Sequence, residues 1–303
     1  MRVLYFDTED YSETPIRNGT HRYAESVEIL VAAWALDDEL FEEEGEIHVE
    51  DLTDDDGVGC LPMSEALARA IREADKIVIH NSAFDTTVCR ASPQIGELPQ
   101  DKIEDTMVRA MSHGLPGALG KLSDIYKLGD DAKDKEGHAL IRLFCMPAPK
   151  NQKLRRRTKN THPDEWQRFL DYAGSDIRSM RALRKKLPSW NYPGKPQGNH
   201  QHGFEYELWQ LDQTINRRGF KVDMDLVDSS IAMLARLKKD QDAYTAKATD
   251  DEVQTANQRD KLLKHLLEQF GVDLPDMTKS TLERRINDEN LPMPVRELLM
   301  VRL

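Results

Sequence analysis

Three cysteines, Cys60, Cys89 and Cys145, are too few and too scattered for a disulfide frame or a zinc knuckle, and suit a reducing compartment. There is no long uncharged apolar run, so the sequence predicts no membrane-spanning helix. The opening MRVLYFDTED has too little apolar length, and turns acidic too soon, to read as a secretory leader. Basic residues are outnumbered, 42 against 54 acids, and the formal charge of −12 argues against a general nucleic-acid coat protein. It leaves room for an enzyme that grips nucleic acid through a local basic patch and metal ions. No internal repeat is visible. The pair His200 and His202 has no further His or Cys neighbour to make a metal site.

What is present is globular: 39% of the residues are hydrophobic and 32% charged. Apolar runs predict strands at about 2–6, 27–36 and 46–51, a helix at about 62–74 and a strand at 76–80. The second and third strands are joined by a hairpin-like turn through DDELFEEEG. Antiparallel strands that give way to alternating helix and strand indicate an α/β fold, a mixed β-sheet flanked by helices. The segment KNQKLRRRTKN is a basic loop. It is followed by a long amphipathic helix in which Trp166, Phe169, Leu170, Ala173, Ile177, Met180 and Leu183 recur at helical spacing between Pro163 and Pro188. A first domain over 1–188, a Pro/Gly/Asn-rich linker over 189–203 and a smaller, mostly helical region over 204–303 are expected. The last helix, VRELLMVRL, carries no breaker and reads as cut short.

Three patterns carry chemistry. The first is Asp7-Thr8-Glu9 at the expected end of the first strand. Residues two apart in an extended chain point the same way, so both carboxylates converge, and a divalent cation there would hold them ionised. The same spacing at Asp37/Glu39, Asp134/Glu136 and Asp250/Glu252 falls in turns or on helices, where solvated charge is the plainer reading. The second is HNSAFD, in which Asn81, Phe84 and Asp85 enter a helix after a strand; in isolation Asn81 is a cap and Asp85 an acid facing the helix dipole. The third is YAGSD, with Tyr172 and Asp176 on one helix face.

Taken in order, D-x-E, N-x-x-F-D and Y-x-x-x-D resemble the DEDDy 3′→5′ exonucleases of the DnaQ-like group, which have an RNase H-like fold. The chain is similar in particular to the proofreading domain of phage-type family A (polymerase I-like) DNA polymerases. The segments DTMVRAMSHGLPGALGKLSDIYKL and KDKEGHALIRLFCMP share the likeness. EYELWQLDQTINRRGFKVDMDLV resembles the entry into a polymerase region, and TKSTLERRINDENLPMPVRELLMVRL the approach to its thumb. The resemblance implies that Asp7, Glu9, Asp85 and Asp176 hold two Mg²⁺ or Mn²⁺ ions about 4 Å apart. Asp7 would bridge them, Glu9 and Asp176 would hold the first, and Asp85 would help hold the second through water. It also implies that Tyr172 orients the attacking water. The histidine branch would need His where Asp171 stands. Asp10 departs from the family, which often has Thr there.

Asn81, Phe84 and Leu115 are candidates for contact with the terminal base. Lys150, Lys153, Arg155, Arg156, Arg157 and Lys159 are candidates for tracking a single strand. The implied substrate is a single-stranded or frayed 3′ DNA end, met in the cytoplasm of a phage host. The implied partner is the palm and fingers of a polymerase, for which no carboxylates or cationic helix are apparent here. Polymerisation by this chain alone is not expected. An RNase D-like RNA exonuclease and a non-catalytic DNA-binding or polymerase assembly module are the alternatives.

Overall fold

The computed structural model describes residues 1–129, 137–149, 151–188 and 204–303. The expected linker over 189–203, with His200 and His202, lies outside the described residues, as do Lys150 and the Asp134/Glu136 pair. Five strands form one mixed sheet in the order β3-β2-β1-β4-β5. They are β1 (Arg2–Ser12), β2 (Val27–Asp38), β3 (His48–Asp51), β4 (Lys76–Ile79) and β5 (Ile103–Asp105). The β1–β2 and β2–β3 pairs are antiparallel, and β1–β4 and β4–β5 are parallel, a mixed sheet as expected, with β5 a strand the sequence reading did not include.

Helices α1 (Thr20–Ala24), α2 (Glu65–Glu73), α3 (Ser82–Ala91), α4 (Thr106–Ser112), α5 (Leu119–Tyr126), α6 (Gly137–Phe144), α7 (Pro163–Lys186) and α8 (Phe204–Arg218) surround the sheet. Alternation along β1 sorts them by face. Leu4 and Phe6 pack with Leu67, Ala70, Val88 and Cys89 of α2 and α3. Val3 and Tyr5 pack with Phe169, Tyr172, Ala173, Ile177 and Met180 of α7. The ends of α7 suit its dipole: Pro163, Asp164 and Glu165 open it, and Arg184, Lys185 and Lys186 close it.

The first strand does not end at residue 6. It pairs with β2 as far as Ser12↔Val27, so Asp7 and Glu9 lie within the strand, opposite Ala33 and Val31. β4 keeps pace with β1 only to Tyr5↔Val78. Beyond Tyr5 one edge of β1 therefore has no strand beside it, and the chain leaving β4 turns into α3 there. The register shifts between Glu9 and Asp10, which face Val31 and Ile29, so Leu30 is the extra residue.

Contacts divide the chain into two compact units, Met1–Arg218 and Gly219–Leu303. The helix opening the expected second region, α8, thus belongs to the first unit. Tyr206 and Trp209 join the core of α2 and α3. The Tyr206 hydroxyl donates to the Ile103 carbonyl at 2.7 Å, and the Lys76 ammonium lies 4.9 Å above the Tyr206 ring. The boundary residue Gly219 has φ 64°, a left-handed conformation that glycine adopts without a Cβ penalty after a helix end.

The second unit is helical: α9 (Met224–Ala248), α10 (Arg259–Phe270), α11 (Lys279–Ile286) and α12 (Met293–Arg302). Its core gathers Leu262, Leu266, Leu282, Val295, Leu298 and Leu299. No helix among the described residues is long and apolar enough to cross a membrane.

Because Trp209 is buried against the first unit, Trp209→Ala should destabilise that unit by about 3 kcal/mol. Chemical denaturation followed by a probe in the sheet measures this. A change within about 0.5 kcal/mol, the size of an ordinary surface substitution, would mean α8 is not part of this core.

Candidate metal centre

Asp7 and Glu9 point from β1 toward α7, the face of Tyr5 and Val3. On α7, Tyr172 and Asp176 are one turn apart and both buried. One carboxylate oxygen from each of Asp7, Glu9 and Asp176 lies within 4.8 Å of the others. An all-oxygen donor set of this kind suits a hard divalent cation such as Mg²⁺ or Mn²⁺.

Asp85 is placed differently. It sits in the first turn of α3 and is not part of that group of three. Its Oδ1 accepts the Thr8 backbone N–H at 3.2 Å and the Thr8 hydroxyl at 3.1 Å. α3 thus supplies the hydrogen-bond acceptor that a neighbouring strand would have given the open edge of β1. It does so at the residue between Asp7 and Glu9.

Asp10 is a fifth acid of the cluster. Its Oδ2 lies 3.1 Å from the same Thr8 hydroxyl, and its Oδ1 is buried with no hydrogen-bond partner among the described residues. One hydroxyl has one proton for two carboxylate oxygens, so the arrangement is short of positive charge. Burial, and then the charge of Glu9, raise the Asp10 carboxyl well above its ordinary range. Burial, and then Asp10, do the same to Asp85.

Tyr172 is raised as well, by burial first and then by Glu9, Asp176 and Asp7. Its phenol therefore stays protonated and serves as a hydrogen-bond donor. Its ring lies against the backbone of Gly137 at the start of α6. A Cβ on Gly137 would lie 2.0 Å from the ring's Cε2, so only glycine leaves the ring its place. The Cys145 thiol, just beyond α6, lies 3.9 Å from Glu9 Oε2. Burial and then Glu9 keep it protonated, as the donor of that weak bond.

Beside the acids is a cavity of about 570 Å³ lined by Glu9, Asp10, Ile16, Tyr23, Phe84 and Met146, among others. Phe84 is half-buried, with its ring centroid 5.6 Å from that of Tyr23. Asn81 precedes α3 in a left-handed conformation, φ 72°. Leu115 does not line this cavity; it packs with Ala110, Leu119 and Leu122.

The basic loop is largely turned to internal use. Arg156 grips Glu28 with two bonds, at 2.8 and 2.6 Å, and lies 4.1 Å above the Tyr11 ring. Arg157 bonds Gln152, and Lys159 lies 3.3 Å from Asp51. Lys153 and Arg155 are the exposed members, Arg155 at 4.0 Å from Glu13.

Gly137 and Cys145 lie in a segment that shares the family likeness but were not singled out in it, and Thr8 enters only as the middle residue of D-x-E. Gly137 is visible only as a glycine at the start of an amphipathic segment, and nothing in the sequence pairs it with Tyr172.

The chain is similar to a phage DNA polymerase. It is 29% identical over 296 residues to the DNA polymerase of Bacillus phage SP02, an alignment covering 96% of this chain. It spans 42% of that relative's length. No family model matches the chain.

The raised carboxyls predict a pH dependence. Without metal, Asp10 and Asp85 hold protons in the fold at pH values where the unfolded chain, ionising near 3.8, has lost them. The native state then binds more protons than the unfolded state. Their contribution to stability is complete below that value and is lost as pH rises through the raised values. Thermal unfolding in EDTA from about pH 4 to about pH 7 should show this decline, and Asp10→Asn should flatten it. An identical slope in the variant would remove Asp10 as its source.

Proposed function

We propose that this chain is the 3′→5′ exonuclease part of a phage-type DNA polymerase, of the DEDDy kind. It would remove nucleoside monophosphates from single-stranded or frayed 3′ DNA ends. The observation that carries the reading is the convergence of Asp7, Glu9 and Asp176 beside a buried, protonated Tyr172. The likeness to a phage DNA polymerase supports the nucleic-acid context.

Asp7, Glu9 and Asp176 would hold one Mg²⁺ or Mn²⁺, with Asp7 shared toward a second that Asp85 helps to hold. When bound, such ions supply Lewis-acid activation of water and neutralise charge on the phosphate and the leaving 3′ oxygen. Tyr172, as a neutral donor, orients the attacking water by a hydrogen bond and does not act as a base. The Cys145 thiol steadies Glu9. The cavity walled by Ile16, Tyr23, Phe84 and Met146 has the apolar surfaces against which a terminal nucleotide would rest. The nuclease residues would lie within 1–188, in a unit that α8 completes as far as Arg218, and the polymerase-like region expected over 204–303 would therefore begin with a helix of that first unit. The polymerising remainder would be the partner, and the host cytoplasm the setting.

A 5′-labelled single-stranded DNA with Mg²⁺ or Mn²⁺ tests the reading. A ladder shortening from the 3′ end is expected, abolished by EDTA and reduced by on the order of a thousandfold or more in Asp7→Ala. An intact oligonucleotide with folded wild-type protein would favour a non-catalytic module. Equal cleavage of a ribo-oligonucleotide would favour an RNA-trimming enzyme.

The Gly137 contact gives a second test. Gly137→Ala should push the Tyr172 ring aside and lower turnover by roughly the hundredfold expected for Tyr172→Phe, with Mn²⁺ affinity unchanged. Full turnover in Gly137→Ala would show that the ring position does not matter.

A further inference from the structure

Asp105 closes β5, where it pairs opposite Ile79, and is also the N-cap of α4. Its Oδ1 accepts the Met107 and Val108 amides at 2.8 and 3.2 Å. The same carboxylate holds the start of a different helix. Its Oδ2 accepts the Ser82 amide at 2.7 Å and the Ser82 hydroxyl at 2.8 Å, and its Oδ1 accepts the Asn81 amide at 3.2 Å. The residue is 1% exposed.

A capping side chain ordinarily serves its own helix. α3 has no such cap: Asn81, at its N-cap position, makes no side-chain capping bond. The first amides of a helix lack intrahelical acceptors, so a buried helix start needs an external one. For α3 that acceptor is Asp105, itself fixed by its strand. Asp85 follows Ser82 within the same first turn, and its carboxylate ends on Thr8. A continuous path therefore runs from the end of β5 through Asp105 and the start of α3 to Asp85, and on to the open edge of β1 beside Asp7 and Glu9.

We infer that Asp105 is the positioning residue of Asp85: its carboxylate sets the start of α3 and thereby holds the Asp85 carboxylate against Thr8. The catalytic consequence rests on the function proposed above; the placement itself does not.

The test uses the full chain with Asp105→Ser. Serine caps α4 about as well as aspartate, but its single short oxygen cannot also take the Ser82 and Asn81 donors. Amide exchange by NMR reads the result at Thr8, whose N–H is bonded to Asp85. We expect Thr8 exchange to accelerate by about tenfold or more, as in Asp85→Ala, with the Met107 and Val108 amides still protected. In the nuclease assay kcat should fall about tenfold or more while KM for the oligonucleotide stays within about twofold.

Unchanged Thr8 exchange in a folded Asp105→Ser protein would overturn the inference. Accelerated Thr8 exchange with unchanged kcat, in an active enzyme, would overturn its catalytic part. If the wild type is inactive but Thr8 responds, the function proposed above fails and the positioning stands. Should Asp105→Ser not fold, Ser82→Ala removes one of the five bonds. A smaller acceleration at Thr8 is then expected, and none would overturn the inference.

Discussion

Repulsion among carboxylates gathered on one strand governs the first unit. Asp7, Glu9 and Asp10 arrive on β1, Asp85 comes to its edge, and Asp176 faces it from α7. Bringing such groups together out of water costs free energy unless protons, hydrogen bonds or a cation compensate. The surroundings supply donors where they can: the Thr8 amide and hydroxyl, the Cys145 thiol and the Tyr172 phenol. They do not supply enough. Asp10 keeps a buried oxygen with no partner among the described residues, and Asp10 and Asp85 are held toward their protonated forms. Asp7, Glu9 and Asp176 are placed so that a divalent cation could offset part of this charge.

The sheet is shaped to permit the cluster. β1 outlasts β4, so half of one edge is free to meet a helix start instead of a strand. Helix α7 lies across the other face and contributes Tyr172 and Asp176 from within a stripe of core residues. The acids therefore rest on well-packed elements and not on loops, which favours a fixed geometry.

Much of this was legible in the sequence. The apolar runs marked four of the five strands, and the 3.6-residue stripe marked α7 with both its ends. The family resemblance carried by the three motifs in order singled out Asp7, Glu9, Asp85, Tyr172 and Asp176, and the structure brings Asp7, Glu9 and Asp176 into one group with Asp85 at the intervening residue. Other features were hidden for identifiable reasons. The continuation of β1 past Phe6 was masked because acids replace the alternating apolar residues that reveal a strand. Three residues of β5 are too few to show a period. Leu115 packs with the α4–α5 core and Arg156 pairs with Glu28, long-range contacts that the local sequence around neither residue discloses. No local pattern could disclose that Asp105 would serve two helices.

The seating of α8 bears on how this chain can be divided. Tyr206 and Trp209 complete the core beside α2 and α3, yet they follow the stretch that composition marks as the natural place to cut. A chain interrupted between Pro188 and Phe204 would not yield a finished first unit. It would leave α8 at the head of the other piece, and with it the aromatic pair that completes the core beside α2 and α3. A fragment that keeps this core whole therefore extends to Arg218.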